Sequence, residues 1–116
     1  MNSMDSDIKT SIVAQTDNFI AWKAEEPDDE ATFHIEINNL TIHFFSEEWE
    51  EFKEFKNGFI SIPKRTTGTL ADSDTYFVSC EKIDSGDYLY TMEIPGATLF
   101  LFEEDWIEFC ELIRDL

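Results

Sequence analysis

The chain has 116 residues, with 26 Asp and Glu against 8 Lys and Arg, so its formal net charge is −18 at pH 7. A hydrophobic content of 42% and an aromatic content of 15% exclude a disordered chain and predict one folded domain over residues 1–116. The charge repels phosphate backbones and anionic membranes, which makes nucleic acid an unfavourable partner. It favours basic proteins and cations.

Targeting signals and cysteines bear on where the protein acts. No stretch approaches the roughly 20 apolar residues of a membrane helix, and the start MNSMDSDIK lacks a basic-then-apolar signal pattern. Cys80 and Cys110 fall in different predicted elements, and two free thiols in a reducing cytosol are a simpler interpretation than a disulfide. These features predict a cytoplasmic protein without membrane association.

Alternation of apolar and polar residues predicts four strands in the first part of the chain, at residues 8–14, 18–24, 31–37 and 40–45. The last two form a hairpin, because Asn38-Asn39 between them tolerates the positive φ that a two-residue turn needs. In that register His34 faces His43. One face of the hairpin is then apolar and the other polar.

A helix is predicted directly after the hairpin. Ser46 is expected to cap its N-terminus, and Trp49 and Phe52 lie on one helical stripe that packs on the sheet. Asn57-Gly58 is expected to end it. In the second part of the chain the same reasoning predicts a strand at 59–62, a polar loop at 63–74, strands at 75–82, 88–94 and 97–102, and a helix at 103–114.

The two parts are copies of one another. The stretch at 33–55 matches that at 90–112 without a gap, and Trp49 and Trp106 lie 57 positions apart. Internal repetition of this kind predicts a duplicated unit. We therefore expect an α+β fold of two tandem β-β-β-β-α repeats, about 7–57 and 58–116. Its antiparallel sheets pack with two helices around a pseudo-twofold axis and share one core.

A four-strand-then-helix unit used twice resembles the PUR repeat and the wider group of PUR- and Whirly-like single-strand nucleic-acid binders. The residues that carry the resemblance are NLTIHFFSEEWEEFKEF and ATLFLFEEDWIEFCELI. The resemblance implies interlocked repeats, with each helix packed on the other repeat's sheet. That family binds nucleic acid through basic and aromatic residues on a sheet face, whereas 8 basic residues form no such patch here.

Carboxylates on the outer sides of both helices are the main functional signal. Such rows of negative charge favour a non-enzymatic module that binds a basic protein, and one form of it is a nucleic-acid mimic that inhibits or regulates its partner. The alternative is a divergent PUR-like binder of single strands that stacks bases on Trp22 and sheet aromatics. The predicted partner-binding residues are Glu47, Glu48, Glu50, Glu51, Glu54, Glu104, Asp105, Glu108 and Glu111.

The face of the second hairpin that points away from the helix is more apolar than that of the first, because it carries Leu89, Phe100 and Phe102. An apolar face of this kind is usually covered. The first strand of either repeat, a second protomer in a homodimer, or a partner would each cover it.

Other chemistry has weaker support in the sequence. His34 and His43 face each other closely enough to share a zinc ion, but a solvent-facing polar pair explains them as well. The carboxylates at 25–30 and 84–87 are possible calcium ligands, but neither run has the spacing of an EF-hand loop. Since no nucleophile, base and orienting group come together in the sequence, we expect neither catalysis nor a cofactor.

Overall fold

A computed structural model describes residues 8–28 and 30–116. They form eight strands and two helices in the order β1 (Lys9–Gln15), β2 (Phe19–Glu25), β3 (Ala31–Ile37), β4 (Leu40–Phe45), α1 (Ser46–Lys56), β5 (Gly68–Asp72), β6 (Phe77–Lys82), β7 (Tyr88–Ile94), β8 (Ala97–Phe102) and α2 (Glu103–Ile113). The predicted start of the first repeat, near residue 7, lies outside the described residues.

The strands form two antiparallel four-stranded sheets, in which each strand pairs with the next along the chain. The first sheet holds β1 to β4 and the second holds β5 to β8. A helix follows the last strand of each sheet. The predicted fold class, an α+β fold with a duplicated β-β-β-β-α unit, is therefore confirmed.

The β3–β4 hairpin has the predicted register. Ile37 pairs with Leu40 and His34 pairs with His43. Asn38 adopts a φ of 54° in the turn, and Gly96, in the equivalent turn of the second repeat, adopts a φ of 85°. Asparagine and glycine tolerate this left-handed conformation better than other residues, which is why these short turns form here.

α1 begins one residue earlier than a Ser46 cap implies, whereas α2 begins at Glu103, as predicted. Ser46 is the first residue of α1, Phe45 is its N-cap, and the Glu48 carboxylate accepts a hydrogen bond of 2.8 Å from the Phe45 amide. Phe102 is the equivalent N-cap of α2. The Ser46 prediction was wrong because the glutamate at the third helical position, rather than a serine hydroxyl, satisfies the free amide at this end.

The predicted first strand of the second repeat was also wrong. Residues 59–62 form turns that continue from α1, and the Phe59 and Ile60 amides both donate to the Lys56 carbonyl. The strand that pairs with β6 is β5, within the segment predicted as a loop. Residues 59–62 are apolar because Phe59 is buried in the core, whereas β5 is a short edge strand that buries little.

One core joins the two repeats. A single cluster of buried residues runs from Phe19 in β2 to Ile113 in α2. α2 contacts β1 and β2 of the first sheet as well as β7 and β8 of its own. From α1, the Phe52 ring meets the Tyr76 ring edge-on at 5.6 Å. Each helix therefore packs between the repeats, and neither sheet has a core of its own.

Candidate functional site: two acidic grooves and two open sheet faces

The carboxylates of α2 include one that bonds to the opposite repeat. Glu108 accepts hydrogen bonds from the Thr16 hydroxyl at 2.5 Å, from the Asn18 amide at 2.6 Å and from the Asn18 side chain at 2.9 Å. The bonds from the side chains of Asn18 and Thr16 hold the pKa of Glu108 below its usual value. Glu108 is therefore a fixed negative charge that ties α2 to the turn between β1 and β2.

α1 makes the equivalent contact to the second sheet. The Thr75 hydroxyl donates to Glu51 at 2.5 Å, and the Tyr76 hydroxyl lies 3.5 Å from the Glu48 carbonyl. Burial, followed by the charges of Glu51 and Glu48, raises the pKa of Tyr76 to about 12. Glu51 and Glu108 occupy equivalent positions in the two repeats, so both crossings follow the same internal symmetry.

An open groove of about 540 Å³ lies between α2 and the β1–β2 turn; we call it the α2 groove. Among the described residues that line it, none is lysine or arginine. Glu104 and Glu111 are exposed at the groove, and Glu108 is half-buried at its wall. The described residues that line it are Thr16, Asp17, Asn18, Glu104, Asp105, Ile107, Glu108 and Glu111. Sequence reasoning missed Asp17 as a groove residue.

A second groove, the α1 groove, lies between α1 and the β5–β6 turn. Glu51, Glu54 and Asp72 line it together with Phe55. The other predicted carboxylates of α1 are not part of its lining: Glu47 is exposed, Glu48 accepts from the Phe45 amide, and Glu50 forms an ion pair of 3.0 Å with Lys53. The structure therefore divides the predicted rows into groove residues and separate surface charges.

Few of the carboxylates are neutralised by cations. In the part of the chain that the structure describes, three ion pairs are present, at Glu25, Glu50 and Glu103. The strongest geometry is that of Arg65, whose guanidinium binds both Glu103 oxygens at 2.9 and 3.1 Å. This bond holds the pKa of Glu103 below its usual value. Among the described residues, the groove carboxylates therefore form no ion pair with a lysine or arginine.

The face of the first sheet that points away from the core carries a stack of rings. The His34 imidazole lies 3.9 Å from the Trp22 ring, nearly parallel to it, and 4.5 Å from His43, edge to face. Trp22 Nε1 donates to Glu36 at 2.6 Å, and the Thr32 hydroxyl lies 3.0 Å from His34 Nε2. His34 is 7% exposed and its Nδ1 has no hydrogen-bond partner among the described residues.

The buried imidazole predicts a pH effect on stability. Burial, and then His43, lower the pKa of His34, while Glu36 opposes the shift. The unfolded chain, with an ordinary histidine pKa of about 6.5, therefore takes up a proton that the folded protein resists. The contribution of His34 to the free energy of unfolding is therefore full above that pKa and decreases as the pH falls below it. We expect wild type to lose more unfolding free energy between pH 7.5 and 5.5 than His34→Phe, which keeps a ring against Trp22. Parallel pH profiles in urea denaturation would contradict the assignment.

The described residues leave the corresponding face of the second sheet open. Phe100 is 64% exposed and Phe102 is 54% exposed, and Leu89, which pairs with Phe102, is half-buried. Of the three alternatives for covering this face, the first strand of either repeat is excluded. β1 and β5 pair at the edges of their own sheets and leave Phe100 and Phe102 open.

Metal and thiol chemistry have little geometric basis. Within residues 8–28 and 30–116 no group of three metal-binding side chains comes together, and His34 and His43 remain a pair. Cys80 and Cys110 are free thiols. Burial raises the pKa of both, to about 12 for Cys110, so neither is an activated nucleophile.

The described helices, of 11 residues each, are too short to cross a membrane. No family model, curated protein or solved structure matches the chain.

Proposed function

We propose that this protein is a non-enzymatic, acidic interaction module that binds a basic protein through its carboxylate grooves. The observation that carries the proposal is the α2 groove, where Asp17, Glu104, Asp105, Glu108 and Glu111 converge without a basic residue in the described lining. Like charges repel one another unless a partner supplies cations, so a groove of this composition favours lysine and arginine side chains.

The way the groove is built supports binding rather than mere solubility. Glu108 is held by three hydrogen bonds of 2.5 to 2.9 Å, which fixes the two walls relative to each other. Charges presented by a fixed wall lose less conformational freedom on binding than charges on flexible loops. Association with a basic partner is then fast and sensitive to salt.

A finer form of the proposal is that the grooves occupy the nucleic-acid site of the partner. The two grooves are repeats of one arrangement on one particle, as phosphates repeat along a duplex. In this form duplex DNA and the protein compete for the same basic surface.

Two free thiols are typical of a reducing compartment, and we propose a cytoplasmic location.

Charge reversal in the α2 groove tests the proposal. We expect Glu104→Lys/Glu111→Lys to weaken binding of a deca-lysine peptide on the order of tenfold or more at low salt. Both residues are exposed, so the fold should tolerate the change. The matched control is Asp28→Lys/Glu30→Lys, which changes the net charge equally on an exposed loop. Equal weakening by both variants would reduce the groove to a contribution to net charge and contradict the proposal.

The second candidate is single-strand binding. The exposed rings of Phe45, Phe100 and Phe102 favour it, because bases stack on exposed aromatic side chains. Fluorescence of Trp22, which lies on the outer face of the first sheet, measured against oligo-dT at moderate salt separates the two functions. Quenching there, with no binding of deca-lysine, would replace the acidic module by the single-strand binder.

A further inference from the structure

The sheet edges differ in whether they can accept another strand. β1 and β5 each contain a register shift, at Ile12/Ala14 and at Thr69/Ala71. Bulges of this kind twist an edge and block further pairing. β4 and β8 have continuous registers over six residues, and within the described chain each pairs on one side only. Their other sides present main-chain N–H and C=O groups for a new strand.

Between these two edges, β8 has the surface that an added strand would cover. Phe100 and Phe102 lie two residues apart on its outer face, 64% and 54% exposed. At the equivalent places β4 carries His43 and Phe45, and His43 already contacts His34. A strand beside β8 would set its own alternating side chains against the two phenyl rings. The apolar area is therefore adjacent to the open hydrogen-bonding edge.

The charges around β8 define the occupant. The strand itself, ATLFLF, has no charged residue. Glu93 is exposed opposite Thr98 near its beginning, and Glu104 is exposed just after its end. An occupant with apolar residues in the middle and basic residues at both ends matches this surface. A second copy of the chain, with a net charge of −18, matches it poorly.

We propose that the edge of β8 binds an extended basic peptide, which adds a fifth strand to the second sheet and covers Phe100 and Phe102. Main-chain hydrogen bonds give such a complex its affinity, and side chains on one face give it selectivity. The inference rests on the basic partner of the proposed function and assigns it a second contact, distinct from the grooves. The partner is thus a strand-forming segment between lysines or arginines, rather than a polycation alone.

A ten-residue peptide tests the edge: two lysines, six alternating valines and threonines, and two lysines. Fluorescence anisotropy gives its affinity for wild type, for Phe100→Thr/Phe102→Thr, and for the control Phe45→Thr at the repeat equivalent of Phe102. An analogue methylated on every central backbone nitrogen keeps the charges and side chains but cannot pair. We expect at least tenfold weaker binding for the double variant and for the analogue, and no change for Phe45→Thr. Hydrogen exchange should show β8 amides protected by the peptide.

Three results would overturn this inference: equal affinity for the methylated analogue, unchanged affinity of the double variant, or a wild-type dimer in sedimentation that the double variant abolishes. The last result would assign the edge to a second copy. Failure here is separable from failure of the groove proposal. If deca-lysine binding depends on Glu104 and Glu111 but the methylated analogue binds as tightly as the peptide, the groove proposal stands and the edge proposal fails. If the peptide binds through the edge of β8 but deca-lysine does not bind, the edge proposal stands and the groove proposal fails.

Discussion

Phe109→Ala is expected to lower the free energy of unfolding by about 3–5 kcal/mol, the usual cost of removing a buried phenyl ring. Phe109 is 0% exposed, and its ring lies 5.7 Å from that of Trp106. Its helix packs against both sheets, so the cavity cannot collapse by movement of one sheet alone. The loss would be a large part of the roughly 5–15 kcal/mol that stabilises a domain of this size.

Chemical denaturation followed by tryptophan fluorescence measures this loss. Phe45→Ala is the matched control, since the residue is 70% exposed and removal of its ring leaves no buried cavity. We expect that control to lie within about 0.5 kcal/mol of wild type. Because one core cluster includes both repeats, Phe109→Ala should shift a single transition. Two separated transitions would contradict a shared core.

Lys56→Met is expected to lower the free energy of unfolding by about 2–3 kcal/mol, because charged hydrogen bonds to main-chain oxygens at the end of α2 are lost. Lys56, the last residue of α1, is 4% exposed. Its ammonium donates to the main-chain oxygens of Ile113 at 2.7 Å, Arg114 at 2.6 Å and Leu116 at 3.1 Å. Burial lowers the pKa of Lys56, and this desolvation offsets part of the gain. Methionine keeps the length of the chain but cannot donate.

Lys53→Met is the control for this prediction. It removes the same charge in the same turn of α1, from a half-buried side chain paired with Glu50. Surface pairs of this kind contribute about 0–1 kcal/mol. Equal stability of the two variants in urea would show that the ammonium of Lys56 does not hold the end of α2.

Short-range patterns predicted the centre of each repeat. The β3–β4 hairpin follows from alternation on both sides of Asn38-Asn39, and its bounds and register are those of the structure. α1 and α2 follow from tryptophan and phenylalanine at helical spacing. In each repeat, this apolar stripe packs on the apolar face of the hairpin before it. These elements bury one complete face, and such a face leaves a clear periodicity in the sequence.

The edges could not be predicted in the same way. β5 reads GTLAD, is at most half-buried, and contains a register shift, so it has no alternation to detect. Residues 59–62 alternate like a strand but serve as a turn that buries Phe59. Position in the tertiary fold, which the local sequence does not encode, decides both cases.

The helix carboxylates were predicted as rows, whereas the grooves were not. Helical spacing gives the side on which Glu104 and Glu111 lie, but the opposite wall comes from Asp17 and Asn18, some 90 residues away in the sequence. The hydrogen bonds that fix Glu108 depend on that same crossing. The missed wall is therefore a product of how the repeats interlock.

Lys56 and Ile113 end the two helices at equivalent positions, and the lysine of one binds the main chain of the other. Two separate, identical protomers would have to place the same residue at both positions. With lysine twice, two ammonium groups would meet near the symmetry axis, and with isoleucine twice, the terminal carbonyls would lose their donor. Joining both units in one polypeptide lets each position take a different residue, so covalent linkage permits a lock that a symmetric assembly cannot encode.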